Sequence, residues 1–336
     1  MADDHHLGRR DFLRHTLAAG AGGAASFAAV SGRAADDAPA SQAPDAPPAS
    51  DSDMPYGTIG NVRISRIMLG GNLVSGYMHA RDLRYVGPLF RAYVTEEKIF
   101  ETFRLAEAQG INTVFESGAF LVNRYNREYG GNLQIIPHIR VEQGQSDQAL
   151  ADHIQQQVDT GAPALYVWGV SADTLAMAGA CHEIGRAVEI AKSRHNLPVG
   201  VGSHSLAVPI ACEELQVPCD FYVKTLHTDD YPSATPRHLQ QDFMWMDNDH
   251  EGWYDNQWCI EHDRVVEFMT TVTKPWIAFK VLAAGAIDPR EGFGYAFRNG
   301  ADFIAVGMFD FQIESNCELV RRLVRREQNR ARPWRA

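Results

Sequence analysis

The sequence predicts a (β/α)8 barrel, and three observations support that prediction. Eight short apolar runs alternate with stretches of helical period along most of the chain, which is the pattern of parallel strands joined by helices. Residues 54–326 provide the length of one such barrel. Gly110, Gly161 and Gly300 follow predicted helices, where a glycine commonly ends a helix. A doubly wound sheet is the alternative, because only the strand count separates the two folds.

Each strand is predicted from an apolar run that is too short for a helix. In chain order these runs are residues 64–69, 111–116, 133–139, 164–170, 197–202, 221–226, 276–282 and 302–307. The helical stretches are residues 96–109, 147–159, 173–194, 208–215, 256–271, 290–298 and 314–325. Two of the helices have a clear start signal, because Thr95 and Ser146 stand immediately before them.

Residues 1–35 have the pattern of a twin-arginine export signal. Arg9 and Arg10 precede Phe12 and then a stretch rich in Ala and Gly, residues 17–30. That stretch is too short and too weakly apolar for a stable membrane anchor. We therefore expect the chain to engage the twin-arginine export machinery and to be periplasmic or otherwise extracytoplasmic. An ordinary N-terminal helix with two chance arginines is the alternative.

Composition divides the rest of the chain. Residues 36–53 are mostly Asp, Ala, Pro and Ser, which predicts a disordered linker before the barrel of residues 54–326. Residues 327–336 are predicted to form a basic tail that extends a solvated helix end. The formal net charge of −11 argues against a nucleic-acid partner.

The cysteines indicate neither a metal site nor a disulfide framework. The chain has five: Cys181, Cys212, Cys219, Cys259 and Cys317. They form no CxxC pair, and their odd number excludes full pairing within one chain. We expect them to be buried apolar thiols, although the sequence leaves open a bond between Cys212 and Cys219.

Several scaffold motifs resemble those of the aldo/keto reductases. MPYGTIG at 54–60 and ISRIMLGG at 64–71 are similar to the opening of that family, and AQGIN at 108–112 is similar to its approach to the second strand. GVGSH at 200–204 resembles the end of its fifth strand, and AVGM at 305–308 resembles its last strand. The resemblance covers most of the predicted barrel and implies the same fold.

The catalytic residues that this resemblance implies do not match. The family has an Asp at the end of strand two and a Tyr soon afterwards, where this chain has Glu116 and Leu121. The family's strand-three Lys aligns with His138, and its strand-four His falls near Trp168. Phe309-Asp310-Phe311 replaces the basic residues that hold the phosphate of NADP. We therefore do not favour NADP as a cofactor.

Polar residues at predicted strand ends are the candidates for chemistry, because a barrel brings its strand ends to one mouth. Glu116, His138 and His204 end strands two, three and five, and His227 follows strand six. Imidazole and carboxylate groups are ligands for a divalent metal such as zinc. The candidate metal ligands are Glu116, His138 and His204. The candidate catalytic residues at these strand ends are Glu116, His138 and His227.

Two lysines suggest a different chemistry. Lys224 and Lys280 lie in otherwise apolar strands. A desolvated lysine can lose its proton near neutral pH and act as a base or form a Schiff base. For Lys280 the alternative is a structural ion pair with Glu116 or an Asp.

A long loop after the sixth strand, residues 228–255, is the predicted substrate-binding segment. It combines aromatic rings with carboxylates, which suits a hydroxyl-rich ligand such as a sugar. The predicted contacts are Asp229, Asp230, Tyr231, Trp253 and Tyr254. A loop that only covers the barrel rim is an equal alternative.

Together these features predict an enzyme for a small carbonyl or sugar-type molecule. The chemistry expected is non-redox acid–base catalysis, as in a lyase, isomerase or hydrolase. Whether a metal assists it is left open by the sequence. One alternative is an NADP-dependent reductase in which Tyr125 or Tyr129 replaces the missing Tyr. Another is a barrel that binds a ligand without catalysis.

Overall fold

The computed structural model describes residues 54–79, 83, 85–242 and 259–336, and these form a closed barrel of eight parallel strands. A short antiparallel hairpin, β1 (Tyr56–Ile59) and β2 (Val62–Ser65), precedes the barrel. The barrel strands are β3 (Ile67–Gly70), β4 (Thr113–Glu116), β5 (Gln134–Ile139), β6 (Leu165–Val167), β7 (Val199–Ser203), β8 (Phe221–Thr225), β9 (Trp276–Phe279) and β10 (Phe303–Val306). Strand β10 closes the barrel by pairing with β3. The predicted barrel is confirmed.

Helices follow the barrel strands and cover the outside. They are α1 (Asn72–Ser75), α2 (Val86–Tyr93), α3 (Glu96–Ala108), α4 (Ala119–Tyr129), α5 (Asp147–Val158), α6 (Gly169–Met177), α7 (His182–His195), α8 (Ala207–Glu214), α9 (His262–Thr271), α10 (Pro289–Arg298) and α11 (Ile313–Arg326). The side chains of Thr95 and Ser146 cap α3 and α5, accepting from the backbone N–H of Lys98 and Ala149.

Some helix predictions need correction. The helix predicted over residues 173–194 is two helices, α6 and α7. Gly179, with a φ of 68°, lies between them and turns the chain. The sequence analysis also missed α1, α2, α4 and the β1–β2 hairpin. The beginning of the helix predicted from residue 256 lies outside the described residues.

The barrel separates two apolar cores. The inner core fills the barrel and includes Met68, Ile136 and Phe303, together with Ile59 and Ile64 of the hairpin. At the hairpin turn, a Cβ on Gly60 would come within 2.8 Å of Pro198, just before β7, so the hairpin covers the amino ends of the strands. The carboxyl ends are therefore the open mouth, where barrel enzymes place their chemistry.

The outer core lies between strands and helices. Val114, Ile135, Val199 and Val201 face it, whereas their strand neighbours face the inner core or the mouth. This alternation decides which polar side chain of a strand can reach the lumen.

The carboxyl-terminal segment corrects the prediction of a solvated basic tail. Arg330 and Arg332 are buried and form ion pairs with the buried carboxylate of Asp302, at 3.0 and 2.8 Å. Asp302 also accepts from the backbone N–H of Trp276 and of Arg335. The segment is thus fixed at the amino ends of β9 and β10.

The remaining global predictions have mixed outcomes. All five cysteines are free thiols, and only Cys181 is not fully buried. Within the described residues, no helix has both the length and the apolar composition needed to cross a membrane. The predicted export signal and linker lie outside the described residues, so both stay predictions.

Candidate active site

Two candidate residues reach the mouth because the backbone leaves the strand conformation at each of them. Glu116 has a φ of 84° and Lys280 a φ of 56°. Phe115 and Phe279 face the inner core, so regular alternation would direct the next residue of each strand outward. A positive φ in a non-glycine residue costs about 1–3 kcal/mol and is frequent at functional sites.

Lys280 lies at the mouth in contact with a histidine. Its Nζ donates to Nε2 of His79, in the loop after β3, at 2.7 Å. Burial lowers the pKa of Lys280 to about 7, and the negative charge of Glu116 partly opposes this. Near neutral pH, a substantial fraction of this amine is therefore unprotonated and nucleophilic.

His79 accepts this hydrogen bond as a neutral imidazole. Burial, and to a smaller extent the positive charge of Lys280, lower its pKa to about 2. With Nε2 accepting, the remaining ring proton is on Nδ1. Sequence reasoning missed His79, because it belongs to a loop rather than to a strand end.

Trp168 connects the second and third strand ends. Its indole N–H donates to Oε1 of Glu116 at 3.1 Å. The ring of His138 stacks on the indole, with centroids 5.1 Å apart. Burial lowers the pKa of His138 to about 4, and the positive charge of Arg140 is the second cause of this shift. Nδ1 of His138 is buried and makes no hydrogen bond of ordinary geometry to the described residues, although the nearby backbone of Glu116 raises the pKa of this ring slightly.

The predicted metal ligands do not assemble. Within the described residues, no three His, Cys, Asp or Glu side chains are grouped so that they could hold a metal ion. Glu116 and His138 both contact Trp168, whereas His204 is tied to Asp173. The described residues therefore give no geometric support to Glu116, His138 and His204 as metal ligands, and metal binding stays a prediction.

His204 forms a buried pair with Asp173 of α6. The ring Nδ1 lies 2.8 Å from Oδ2 of Asp173. The same carboxylate accepts from the backbone N–H of His204 and of Ser205, at 2.9 and 3.0 Å. Burial lowers the pKa of His204 well below its usual value, assisted by the charges of Lys280 and Lys224. Burial raises the pKa of Asp173 to about 7; in its ionised form this carboxylate accepts from Nδ1–H of His204 and leaves Nε2 as the acceptor.

The side chain of Lys224 is directed away from the inside of the barrel. Along β8, Phe221 and Val223 belong to the inner core and Tyr222 to the outer core, so alternation directs Lys224 outward. Its Nζ donates to Oγ1 and to the backbone oxygen of Thr225, at 2.8 and 3.1 Å. Burial lowers the pKa of this amine. Lys224 is therefore less well placed to contact a substrate at the mouth than Lys280.

His227 is buried next to the loop after β8. Its Nδ1–H donates to the backbone oxygen of Thr228 at 2.9 Å. Its Nε2 is buried and has no partner among the described residues. Burial lowers its pKa to about 4, so this imidazole is also neutral.

The predicted substrate-binding residues are only partly described. Asp229 is held by Arg237 at 2.8 Å and by His262 at 3.1 Å, so its carboxylate has a structural role. Asp230 is exposed, and Tyr231 packs edge-on against His227 with centroids 6.2 Å apart. Trp253 and Tyr254 lie outside the described residues.

The two tyrosines of the reductase alternative lie away from the mouth. Tyr125 is in the outer core, and its hydroxyl donates to Glu107 of α3 at 3.0 Å. Tyr129 stacks on Tyr125 at 5.8 Å. Neither ring reaches the mouth, so neither replaces the catalytic Tyr that the resemblance implies.

The segment after β10 does not fit the phosphate of NADP. Asp310 pairs with Lys98 at 3.2 Å and accepts from the Tyr93 hydroxyl at 2.7 Å. A carboxylate at this position repels a phosphate, and the lysine beside it is already paired. That NADP is not the cofactor stays a prediction.

Comparisons with known proteins identify the fold but not the family. No protein-family model matches the sequence, and no curated protein matches it. The structure is similar to a protein from Pseudomonas aeruginosa provisionally named an aldo-keto reductase, with a TM-score of 0.54 and 14% identity over 80% of this chain and 94% of that one. A second such structure from the same organism gives a TM-score of 0.52 at 14% identity, over 80% and 96% of the two chains. The chain therefore has the aldo-keto reductase (β/α)8 barrel fold.

Proposed function

We propose that this protein is an enzyme in which the amine of Lys280 attacks the carbonyl carbon of a small substrate without hydride transfer. The main support is Lys280 itself: a half-buried lysine at the barrel mouth, hydrogen-bonded to a neutral imidazole, with a pKa lowered to about 7. These are the conditions under which lysine forms a Schiff base.

The proposed step balances as follows. The lone pair of neutral Lys280 forms a C–N bond while the carbonyl electron pair moves to oxygen. A proton passes from the nitrogen to that oxygen and gives a carbinolamine. A second proton, supplied by the site, lets the hydroxyl leave as water and produces a protonated C=N bond to Nζ. Glu116 acts on Lys280 electrostatically, so it is our candidate for moving these protons and for stabilising the iminium charge.

His79 and Trp168 orient these two groups. The neutral ring of His79 accepts from Nζ and holds the amine at the mouth. The indole N–H of Trp168 fixes one oxygen of Glu116 and leaves the other for proton transfer. Non-redox chemistry, export and the identity of the substrate all remain part of the proposal.

Reductive trapping tests the proposal directly. The full-length protein is incubated with sodium cyanoborohydride and, separately, with pyruvate, methyl pyruvate, dihydroxyacetone or dihydroxyacetone phosphate. We expect a stable adduct of the ketone on Lys280, located by peptide mass spectrometry. The Lys280→Met protein should form none, whereas Lys274→Arg, on a half-buried ion pair with Glu213 away from Lys280, should label like wild type. An adduct on Lys224 alone, or no adduct with any ketone, would overturn the role of Lys280.

A further inference from the structure

Arg140 lies at the rim of the mouth, immediately after β5. Its guanidinium carbon is 5.2 Å from the centroid of the Trp168 ring. The N–H of the same indole donates to Glu116 at 3.1 Å, and Glu116 acts on Lys280. A single aromatic side chain therefore separates the guanidinium from the carboxylate that serves the amine.

The guanidinium of Arg140 is exposed and has no carboxylate within 4 Å among the described residues. Some other arginines are paired, as Arg124 is with Glu96 at 2.7 Å and Arg237 with Asp229 at 2.8 Å, and others are not. The relevant property of Arg140 is its place: it brings a positive charge to the mouth of a protein that has 42 acidic and 31 basic side chains excluding His. Its charge also reaches inward, because it lowers the pKa of His138 and of His153.

The geometry points to Arg140 as the residue that binds an anionic group on the substrate, so the substrate class is a carbonyl compound with a carboxylate or a phosphate. A guanidinium is a planar fork that binds either group through two parallel hydrogen bonds. The cation–π contact with Trp168 favours this position of the guanidinium and leaves its N–H groups for the ligand.

This inference rests on the proposed function and identifies the substrate class of the same site. It also explains how an acidic protein attracts an anion: a local positive charge at a concave mouth raises the nearby concentration of anionic ligands. The ketone then lies over Lys280 while the anionic group stays at the rim.

Matched pairs of ketones test the inference. Pyruvate and methyl pyruvate have the same ketone but differ in charge, and so do dihydroxyacetone phosphate and dihydroxyacetone. For each pair we measure the ratio of labelling rates at Lys280 in wild type, Arg140→Gln and Arg140→Lys. A control, Arg127→Gln, removes an exposed arginine of α4.

We expect Arg140→Gln to lower the anionic-to-neutral ratio about 10–100-fold in at least one pair, as the loss of a charged hydrogen bond implies. Arg140→Lys should retain part of the preference, and Arg127→Gln should retain all of it. The pair that responds distinguishes a carboxylate from a phosphate. Equal ratios in wild type and Arg140→Gln for both pairs would overturn the inference while leaving the role of Lys280 intact.

A second measurement separates the two proposals if no adduct forms. Lys280→Met cannot form a Schiff base at position 280, so calorimetric titration of this protein with pyruvate or dihydroxyacetone phosphate reports noncovalent binding at this site. We expect binding that the additional Arg140→Gln change weakens at least tenfold. Binding that is absent, or unchanged by that substitution, would contradict the inference whatever the outcome of trapping.

Discussion

At the scale of single residues, the protonation of Lys280 determines its reactivity. Only the neutral amine attacks a carbonyl, so the rate of reductive labelling should rise with pH and level off above the pKa. Burial lowers that pKa to about 7, and the groups around the amine are Glu116, His79 and His204. We therefore expect the labelling rate to rise between about pH 6 and pH 8, as measured by mass spectrometry.

The Glu116→Gln protein provides a check on the sign of this effect. Glu116 raises the pKa of Lys280, so its removal should move the midpoint of labelling to lower pH. A midpoint near 10, as for a solvated lysine, would contradict the burial argument. A shift of the labelling midpoint to higher pH in Glu116→Gln would contradict the electrostatic effect of Glu116 on the pKa of Lys280.

The sequence could predict the residues at strand ends but not their partners. Glu116, His138 and Lys280 follow from the rule that barrel strands end at the mouth. The carboxylate of Asp173 is 31 positions from His204 in sequence, so only the packed fold reveals the pair. For the same reason the sequence could not tell whether Glu116, His138 and His204 meet, because side-chain direction at each strand end depends on local φ and on neighbours.

At the scale of elements, close approach of backbones positions the site. Gly202 in β7 faces the first turn of α6, where an added Cβ would lie 2.9 Å from the backbone nitrogen of Gly169 and 2.9 Å from the oxygen of Val167. Helix α6 contributes Asp173, which binds His204 two residues after Gly202. The contact therefore connects strand packing to the position of His204, a predicted site residue.

We expect Gly202→Ala to lower the free energy of unfolding by about 1–3 kcal/mol, the typical cost of overpacking. Urea unfolding monitored by circular dichroism measures the change. Gly307→Ala is the matched control, because a Cβ there meets nothing within 4 Å. It should be neutral, or stabilising by less than about 1 kcal/mol. Equal losses in both variants would show that the close approach at Gly202 is unimportant.

The strands were predictable because each is an apolar run buried on both faces. Helix α4 was missed because its exposed residues include Phe120, which obscures the apolar face formed by Val122 and Tyr125. The hairpin was missed because an exposed polar residue interrupts each of its strands, Thr58 in β1 and Arg63 in β2, so neither strand is a continuous apolar run. Short elements gain their stability from the barrel they cover rather than from their own sequence.

At the scale of the whole molecule, the chain end and the barrel are joined by buried charges. The sequence predicted a solvated basic tail because arginines are rarely buried unless paired. Asp302 provides that pairing from the start of β10, with Arg332 only 1% exposed. The guanidinium of Arg66 adds a bond to the backbone oxygen of Asp302 at 2.9 Å. Because Asp302 is far in sequence from Arg330 and Arg332, no local sequence pattern indicates that they pair.

Removing the central carboxylate should therefore destabilise the entire fold. Asp302→Ala leaves Arg330 and Arg332 buried without their counter-charge, and breaking a buried ion pair in this way costs about 3–5 kcal/mol. The comparison is Glu318→Ala, which breaks an ion pair with Arg322 whose side chains are both about 60% exposed and should cost less than about 1 kcal/mol. Urea unfolding of both variants measures the difference. Similar losses would mean that the buried ion pairs of Asp302 contribute no more to stability than an exposed pair. The tail would then be held by apolar contacts, such as those of Trp334, rather than by its charges.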